Sequence, residues 1–248
     1  MDSERVRIYM FEGSNSCLTS ILMLEHKQIE YRRVDLPPAV HAILVRLRGF
    51  ARTTVPAMIL DGERVQGTLA ISEALDRVFP DHPLFPSDPE QRARVREAEV
   101  WGEKFQRATR RIFYGAARRD RRVFSTFLQR GELSAAAWRM VRVSTPLIIK
   151  VASKGHGSTD ERVRKDLERL PEGLDRIDAW LGDGTLGGER LNAADYQIAP
   201  NVRAMLQFAD FQPLLEGRPS ADWALRVVPE YGGPVGPVLP SEWLTPEL

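Results

Sequence analysis

The sequence predicts an α/β segment followed by an all-α segment. Two observations carry this expectation. Strand and helix signals alternate through the first eighty residues, and no convincing strand appears from Pro89 to about Leu225. A third observation marks the join: Pro80, Pro83, Pro86 and Pro89 crowd one short stretch, where missing N–H groups and fixed φ angles forbid regular structure. The expected division is residues 1–80, a linker 81–89, a helical domain 90–228 and a coil tail 229–248.

Each element has its own warrant. Val6-Arg7-Ile8-Tyr9-Met10-Phe11 alternates and is rich in strand formers. Glu12 to Ser16 is a turn ending in helix-capping residues, and Leu18, Ile21 and Leu22 then follow helical spacing. Ile29 to Val34 is a second strand. Pro37-Pro38 opens a second helix with Val40, Ile43, Leu44 and Leu47 on one side. Val55 to Leu60 is a third strand with proline near its start, where the lost N–H costs least. Asp61-Gly62 is a two-residue hairpin signal, Arg64-Val65-Gln66 returns, and Thr68 begins a helix through Phe79. Ser87 or Asp88, followed by Pro89, opens a long helix to about Ala117. Further helical windows run over 121–129, 134–154, 160–181, 192–208 and 218–228. Beyond Pro229 the proline and glycine content predicts coil.

Composition narrows the function classes. The chain has 248 residues, is 43% hydrophobic and 28% charged, and carries a net charge of +1. That balance argues against disorder and against a nucleic-acid binder. The single cysteine, Cys17, excludes an intramolecular disulfide and a thiolate zinc cluster. His26, His41, His82 and His156 show no ligand spacing, so no metal is expected. No run reaches the roughly 18 apolar residues that span a bilayer, and Met1 to Arg7 lacks the apolar region of a signal peptide. The expectation is a cytoplasmic protein with no membrane partner. The neutral total conceals an arginine-rich segment: residues 91–130 hold twelve basic residues, Lys104 the only lysine, against Glu97, Glu99, Glu103 and Asp120. Solvated faces and interface ion pairs are one account of it. Steering of an anionic substrate is the other.

Three motifs give the chain a resemblance. The first is Val55-Pro56-Ala57-Met58, then Asp61-Gly62, Val65, Gly67-Thr68 and Ala70-Ile71. The second is Pro83-Leu84-Phe85-Pro86 with Asp88-Pro89. The third is Asn192-Ala193-Ala194-Asp195-Tyr196. In this order and spacing they resemble the cytosolic glutathione transferase superfamily up to about Val228. The resemblance implies a thioredoxin-like βαβ-α-ββα domain, a helical C-terminal domain, a cleft site between them, glutathione as cosubstrate, no permanently bound cofactor and a homodimer.

The resemblance also assigns residues. A thiol transferase must hold a thiolate near neutral pH, and a hydroxyl at a helix start does this through free N–H groups and the helix dipole. Alignment through Leu24, Lys27 and Tyr31 places Ser14 there, with Ser16, Tyr9 and Cys17 as alternates; simple capping is the competing reading of the serines. Pro56 matches the family's cis-proline, which turns the Val55 main chain toward the cysteine portion of glutathione. Thr68 begins a helix and suits the γ-glutamyl carboxylate. Gly67 stands where relatives carry the Glu or Gln that pairs with the γ-glutamyl amine. Thr54, Arg52 and Arg48 are candidates for the glycyl carboxylate. Phe11, Gly13, Trp101, Phe105 and Tyr114 are the pocket candidates for a second substrate, although Trp101, Phe105, Ala108 and Ile112 also form an ordinary core stripe. Asn192 and Asp195 are expected to cap a helix.

Three functions compete at this level. The first is conjugation of glutathione or a related thiol to a hydrophobic electrophile, neutral or anionic. The second is ligand or partner binding on the same fold without catalysis, which Gly67 favours. The third is thiol–disulfide or glutathionyl reduction through Cys17, which the resemblance aligns with the second cysteine of the redox relatives' Cys-x-x-Cys pair; it is weakened because Ser14 stands in place of the first.

Overall fold

The computed structural model describes residues 5–37, 40–127 and 135–244. The chain opens with β1 (Val6–Met10), α1 (Asn15–His26), β2 (Arg32–Asp35), α2 (His41–Leu47), β3 (Ala57–Leu60), β4 (Glu63–Gln66) and α3 (Thr68–Val78). The sheet order is β2-β1-β3-β4. β1 runs parallel to β2, with Ile8 opposite Arg33, and antiparallel to β3, with Ile8 opposite Met58. β3 and β4 form the hairpin that Asp61-Gly62 predicts; both turn residues have positive φ, 47° and 84°, as a right-twisting two-residue hairpin requires.

Strand alternation sends β1 side chains to two different cores. Val6, Ile8 and Met10 pack with Met23, Leu24, Met58, Leu60, Ile71 and Leu75 against α1 and α3. Tyr9 goes the other way, into a small cluster with Leu36, Val45, Phe50 and Ala57. The larger cluster continues without a break into the helical part through Leu84, Phe85, Val95 and Ala98. Each fully buried Leu, Ile or Met stabilises by about 1.5–3 kcal/mol.

The helical part comprises α4 (Pro89–Arg119), α5 (Arg122–Phe127), α6 (Ala135–His156), α7 (Asp160–Glu168), α8 (Leu170–Gly182), α9 (Ala193–Met205), α10 (Gln212–Leu215) and α11 (Pro219–Val227). α9 is buried nearly all round, as expected of a central helix, and packs on α4, α1 and α11. Gly102 lets α4 and α9 approach closely: a Cβ there would sit 2.7 Å from Ile198. Asn192 accepts hydrogen bonds from the Ala194 and Asp195 N–H groups, while Asp195 accepts from the Asn192 N–H. Asp195 also accepts from Gly187 N–H and from the Trp223 indole at 3.0 Å, so one buried carboxylate ties α9 to α11.

Polar links hold the linker and the tail. The buried Lys27 ammonium reaches Asp76 at 2.7 Å and the Asp81 and His82 carbonyls. Asp76 accepts in turn from the Leu84 and Phe85 N–H groups. In the tail, Val235 bridges to Phe208, and Asp210 accepts from the Val238 N–H.

Several expected elements differ from those observed. The predicted helix 160–181 is two helices, α7 and α8, because Pro171 cannot donate to a continuous ladder and sits in the first turn of the second. The second strand begins at Arg32 instead of Ile29. α2 begins at His41, after the expected opening; Pro38 lies outside the described residues, as do Gln129 and Ser134 at two other expected helix limits. The apolar side of α2 is not buried: Ile43 is 62% exposed and Leu47 77%.

Candidate active site

A cavity of about 500 Å³ opens between the ends of the central strands β1 and β3 and the helices. The turn after β1 supplies Phe11, Gly13 and Ser14, and the loop before β3 supplies Thr54 and Val55. Tyr114 comes from α4, Phe124 and Phe127 from α5, Ile148 and His156 from α6, and Tyr231 from the tail. Exposed apolar side chains border this region. Leu147 and Val151 line it while remaining 63% exposed, and Val143 continues the same stripe at 77%.

Ser14 caps α1 because its extended backbone leaves the hydroxyl oxygen facing the helix; it accepts from the Cys17 N–H at 3.4 Å. Two residues on, Ser16 is tied up. Arg110 donates to its Oγ at 2.8 Å, and Ser16 donates to Gln106 Oε1 at 3.1 Å, where Gln197 Nε2 also donates. Asn15 is held by Asn201 Oδ1 at 3.1 Å and by the Tyr231 hydroxyl, which donates to its side-chain oxygen. Of the three polar residues in this turn, Ser14 alone lines the cavity without being tied to the helical part.

The other hydroxyl and thiol alternates lie elsewhere. Tyr9 is 4% exposed on the opposite face of the sheet, edge-on to Phe50 and beneath the Arg48 guanidinium. Cys17 is wholly buried, and burial pushes its thiol up to about 11 despite the nearby Ser14 hydroxyl and Arg110. It is therefore a neutral thiol at physiological pH, sealed from solvent.

Val55 and Pro56 are joined by a cis peptide bond. The ladders to β1 and β4 begin only at Ala57, which leaves the Val55 main chain outside the sheet at the cavity wall. Pro56, Gly67 and Thr68 do not line the cavity. Gly67 precedes α3 with φ 92°, and Thr68 is the buried first residue of that helix. The Gln66 side chain is turned to the 52–54 loop, donating to the Arg52 and Thr54 carbonyls and accepting from the Arg52 N–H. The Arg52 guanidinium lies over Gly67, 3.3 Å from where a Cβ would stand, and donates to the Gln66 carbonyl.

Trp101 and Phe105 depart from expectation. They stack on each other at 5.0 Å and face α8, where Trp101 meets Trp180 edge-on and Phe105 packs over Gly173. A 31-residue helix buried on two sides offers two apolar stripes, and these rings belong to the one turned from the cavity. Sequence reasoning missed Phe124, Phe127, Ile148, His156, Met205 and Tyr231, which the fold brings in from distant segments. Among the described residues no cluster of metal-ligating side chains exists, and no helix is long and apolar enough to cross a membrane.

Residues 8–83 match the glutathione S-transferase N-terminal domain family. Over 100 residues the chain is 37% identical to a probable maleylacetoacetate isomerase of Caenorhabditis elegans, a match covering 39% of this chain and 45% of that protein. The chain thus spans less than half the length of that relative. Among solved structures, beta-etherase LigF from Sphingobium sp. strain SYK-6 superposes with a TM-score of 0.62 at 18% identity, covering 90% of this chain and 99% of that one. A glutathione S-transferase of Ceriporiopsis subvermispora in complex with glutathione gives 0.62 at 17%, covering 90% and 95%. One of Methylobacterium radiotolerans in complex with glutathione sulfonate gives 0.58 at 19%, covering 95% and 99%. At these identities the structural likeness speaks for fold alone. Residues 8–83 therefore match a glutathione S-transferase N-terminal domain in sequence, and the chain as a whole shares the fold of these solved structures.

Proposed function

We propose that the chain is a cytoplasmic, homodimeric transferase that joins glutathione, or a closely related thiol, to a hydrophobic electrophile. We place its site between an N-terminal domain, residues 1–80, and a helical domain, residues 90–228. The observation that carries this reading is Ser14, a helix-capping hydroxyl facing a largely apolar cavity beside the cis Val55–Pro56 bond. Ser14 Oγ accepts from the Cys17 N–H and lines the cavity, where its hydroxyl would turn to donate to a thiolate. The dipole of the twelve-residue α1 adds partial positive charge at the same place. The substrate thiol gives its proton to solvent. The sulfur then forms a bond to the electrophilic carbon, and the displaced group leaves with its electron pair. Val55 would align the peptide through its main chain, which lies outside the sheet ladders, with Thr54 beside it, and Thr68 would receive a carboxylate at the start of α3. Phe11, Gly13 and Tyr114, with Phe124, Phe127 and Ile148, would hold the electrophile.

One observation favours a second reading, binding without turnover. An ammonium placed at Gly67 meets the Arg52 guanidinium instead of a carboxylate, and like charges repel. A thiol or ligand lacking that ammonium fits better. Calorimetry with glutathione and with N-acetylglutathione, followed by an electrophile screen, tests both readings. Conjugate formation with either thiol supports the transferase. Binding with no conjugate supports the second reading. Binding of neither thiol rejects both. Reduction through Cys17 loses its physical basis, because a buried neutral thiol cannot attack a disulfide.

A further inference from the structure

We propose that the cavity recognises an anionic group on its apolar ligand, and that Arg110 is the residue that does so. This rests on the reading of the cavity as the electrophile site and names the class of electrophile: an aromatic or aliphatic body bearing a carboxylate or sulfonate.

The basic segment of α4 is mostly neutralised. Arg96 pairs with Glu73 and Glu99, Arg107 with Glu103, Arg111 with Asp166, and Arg118 and Arg119 with Asp160. Arg110 is different. Among the described residues it makes no ion pair, and it donates to the neutral Ser16 hydroxyl at 2.8 Å. It lines the cavity, where burial lowers its pKa. A guanidinium has five N–H donors in a planar fork, so one bond to Ser16 leaves most of them to a ligand.

The surrounding charges do not cancel it. Glu12, the carboxylate among the cavity-lining residues, is held by Arg33 at 2.6 Å. Glu103 is the acidic group nearest Arg110 along α4, and it is bonded to Arg107 at 3.1 Å. Arg111 faces away, locked to Asp166 through two bonds of 2.6 and 2.7 Å. On α6, His156 stacks on Tyr114 at 5.3 Å; burial, then Arg110 and Arg111, depress its pKa to about 4. His156 is therefore uncharged at neutral pH and adds no second positive charge to the cavity wall. A largely apolar space in which, among the described residues, Arg110 is a cation with no ion-pair partner favours an apolar molecule with one negative charge, since a charge-assisted bond is stronger away from bulk water.

The test uses the whole chain and no thiol. Calorimetry compares naphthalene-2-sulfonate, ionised at every working pH, with the uncharged naphthalene-2-sulfonamide. The wild-type protein is expected to prefer the sulfonate by about ten-fold or more. Arg110→Met should reduce the preference to within about two-fold while still binding the sulfonamide, and Arg110→Lys should retain part of it. Equal affinities in the wild type, or a preference that survives Arg110→Met, overturn the proposal. If Arg110→Met does not fold, NMR titration of wild-type His156 decides: the sulfonate must raise its pKa and the sulfonamide must not. An unmoved His156 under saturating sulfonate also overturns the proposal. Glutathione calorimetry is independent of all these readouts, so failure of the thiol reading is distinguishable from failure of this one.

Discussion

Ser14 and Ser16 stand two residues apart and differ in what they touch. The Ser16 hydroxyl both accepts and donates within a chain running from Arg110 to Gln106, so it has no hydrogen left for a substrate. Ser14 has no such tie to the helical part and lines the cavity. Replacing Ser14 with Ala should therefore lower kcat for conjugation by about 10²-fold, the scale for losing one donor to a developing charge, with little change in glutathione binding by calorimetry. Cys17 supplies the matching negative expectation. Native protein treated with iodoacetamide should show no added mass, and turnover should persist after treatment, because the thiol is buried and neutral. The helix start at Ser14 was legible in the sequence, since a turn followed by capping residues marks one, whereas the choice of Ser14 over Ser16 came from the family resemblance alone. The restraint on Asn15 was not: its partners Asn201 and Tyr231 lie 186 and 216 positions away. Trp101 and Phe105 misled for a similar reason, because helical spacing gives a stripe but not the neighbour it faces.

At the level of elements, α4 meets both halves of the chain, and Glu99 marks one contact. Its side chain is fully buried, bonded to Arg96 at 3.2 Å and close to Ser72 of α3. Burial pushes its carboxyl up to about 7, above the ordinary 4.5. A raised carboxyl pKa means the folded state holds the proton more tightly than the unfolded chain. Its contribution to stability is thus complete below about pH 4.5 and is lost as pH rises through about 7. Asp195, raised to about 6 by burial, acts in the same direction. The thermal unfolding midpoint should fall from pH 5 to pH 8, and Glu99→Gln should flatten that fall; an unchanged slope in the variant would refute the assignment. The cap of α9 carries a separate expectation. Asp195→Ala leaves the Asn192, Gly187 and Trp223 donors without their acceptor and should cost roughly 3 kcal/mol in urea unfolding. Element types were readable wherever period and punctuation agreed. The outward turn of α2 was not, since an apolar stripe indicates a face without saying whether anything covers it.

Across the whole molecule, the arginine excess of residues 91–130 is spent largely on local carboxylates. Long-range steering needs unneutralised charge, and paired charges project little field beyond about one Debye length of roughly 10 Å. Conjugation rates should therefore change by no more than about two-fold between low and moderate salt. A steep decline would restore the steering account. The division into an α/β part and a helical part was visible from the alternation of signals and the proline-rich linker. The cavity was not, because its walls come from the turn after β1, from α4 to α6 and from the tail.

The exposed stripe of Val143, Leu147 and Val151 beside the cavity has a bearing on how the protein is handled at the bench. Environment-sensitive dyes such as anilinonaphthalene sulfonate brighten on apolar surface, and this fold offers that surface before any unfolding. A dye-based melt would begin bright, and its baseline would track ligand occupancy as much as denaturation. Circular dichroism or tryptophan emission, with Trp223 fully enclosed at 1% exposure, gives the cleaner record.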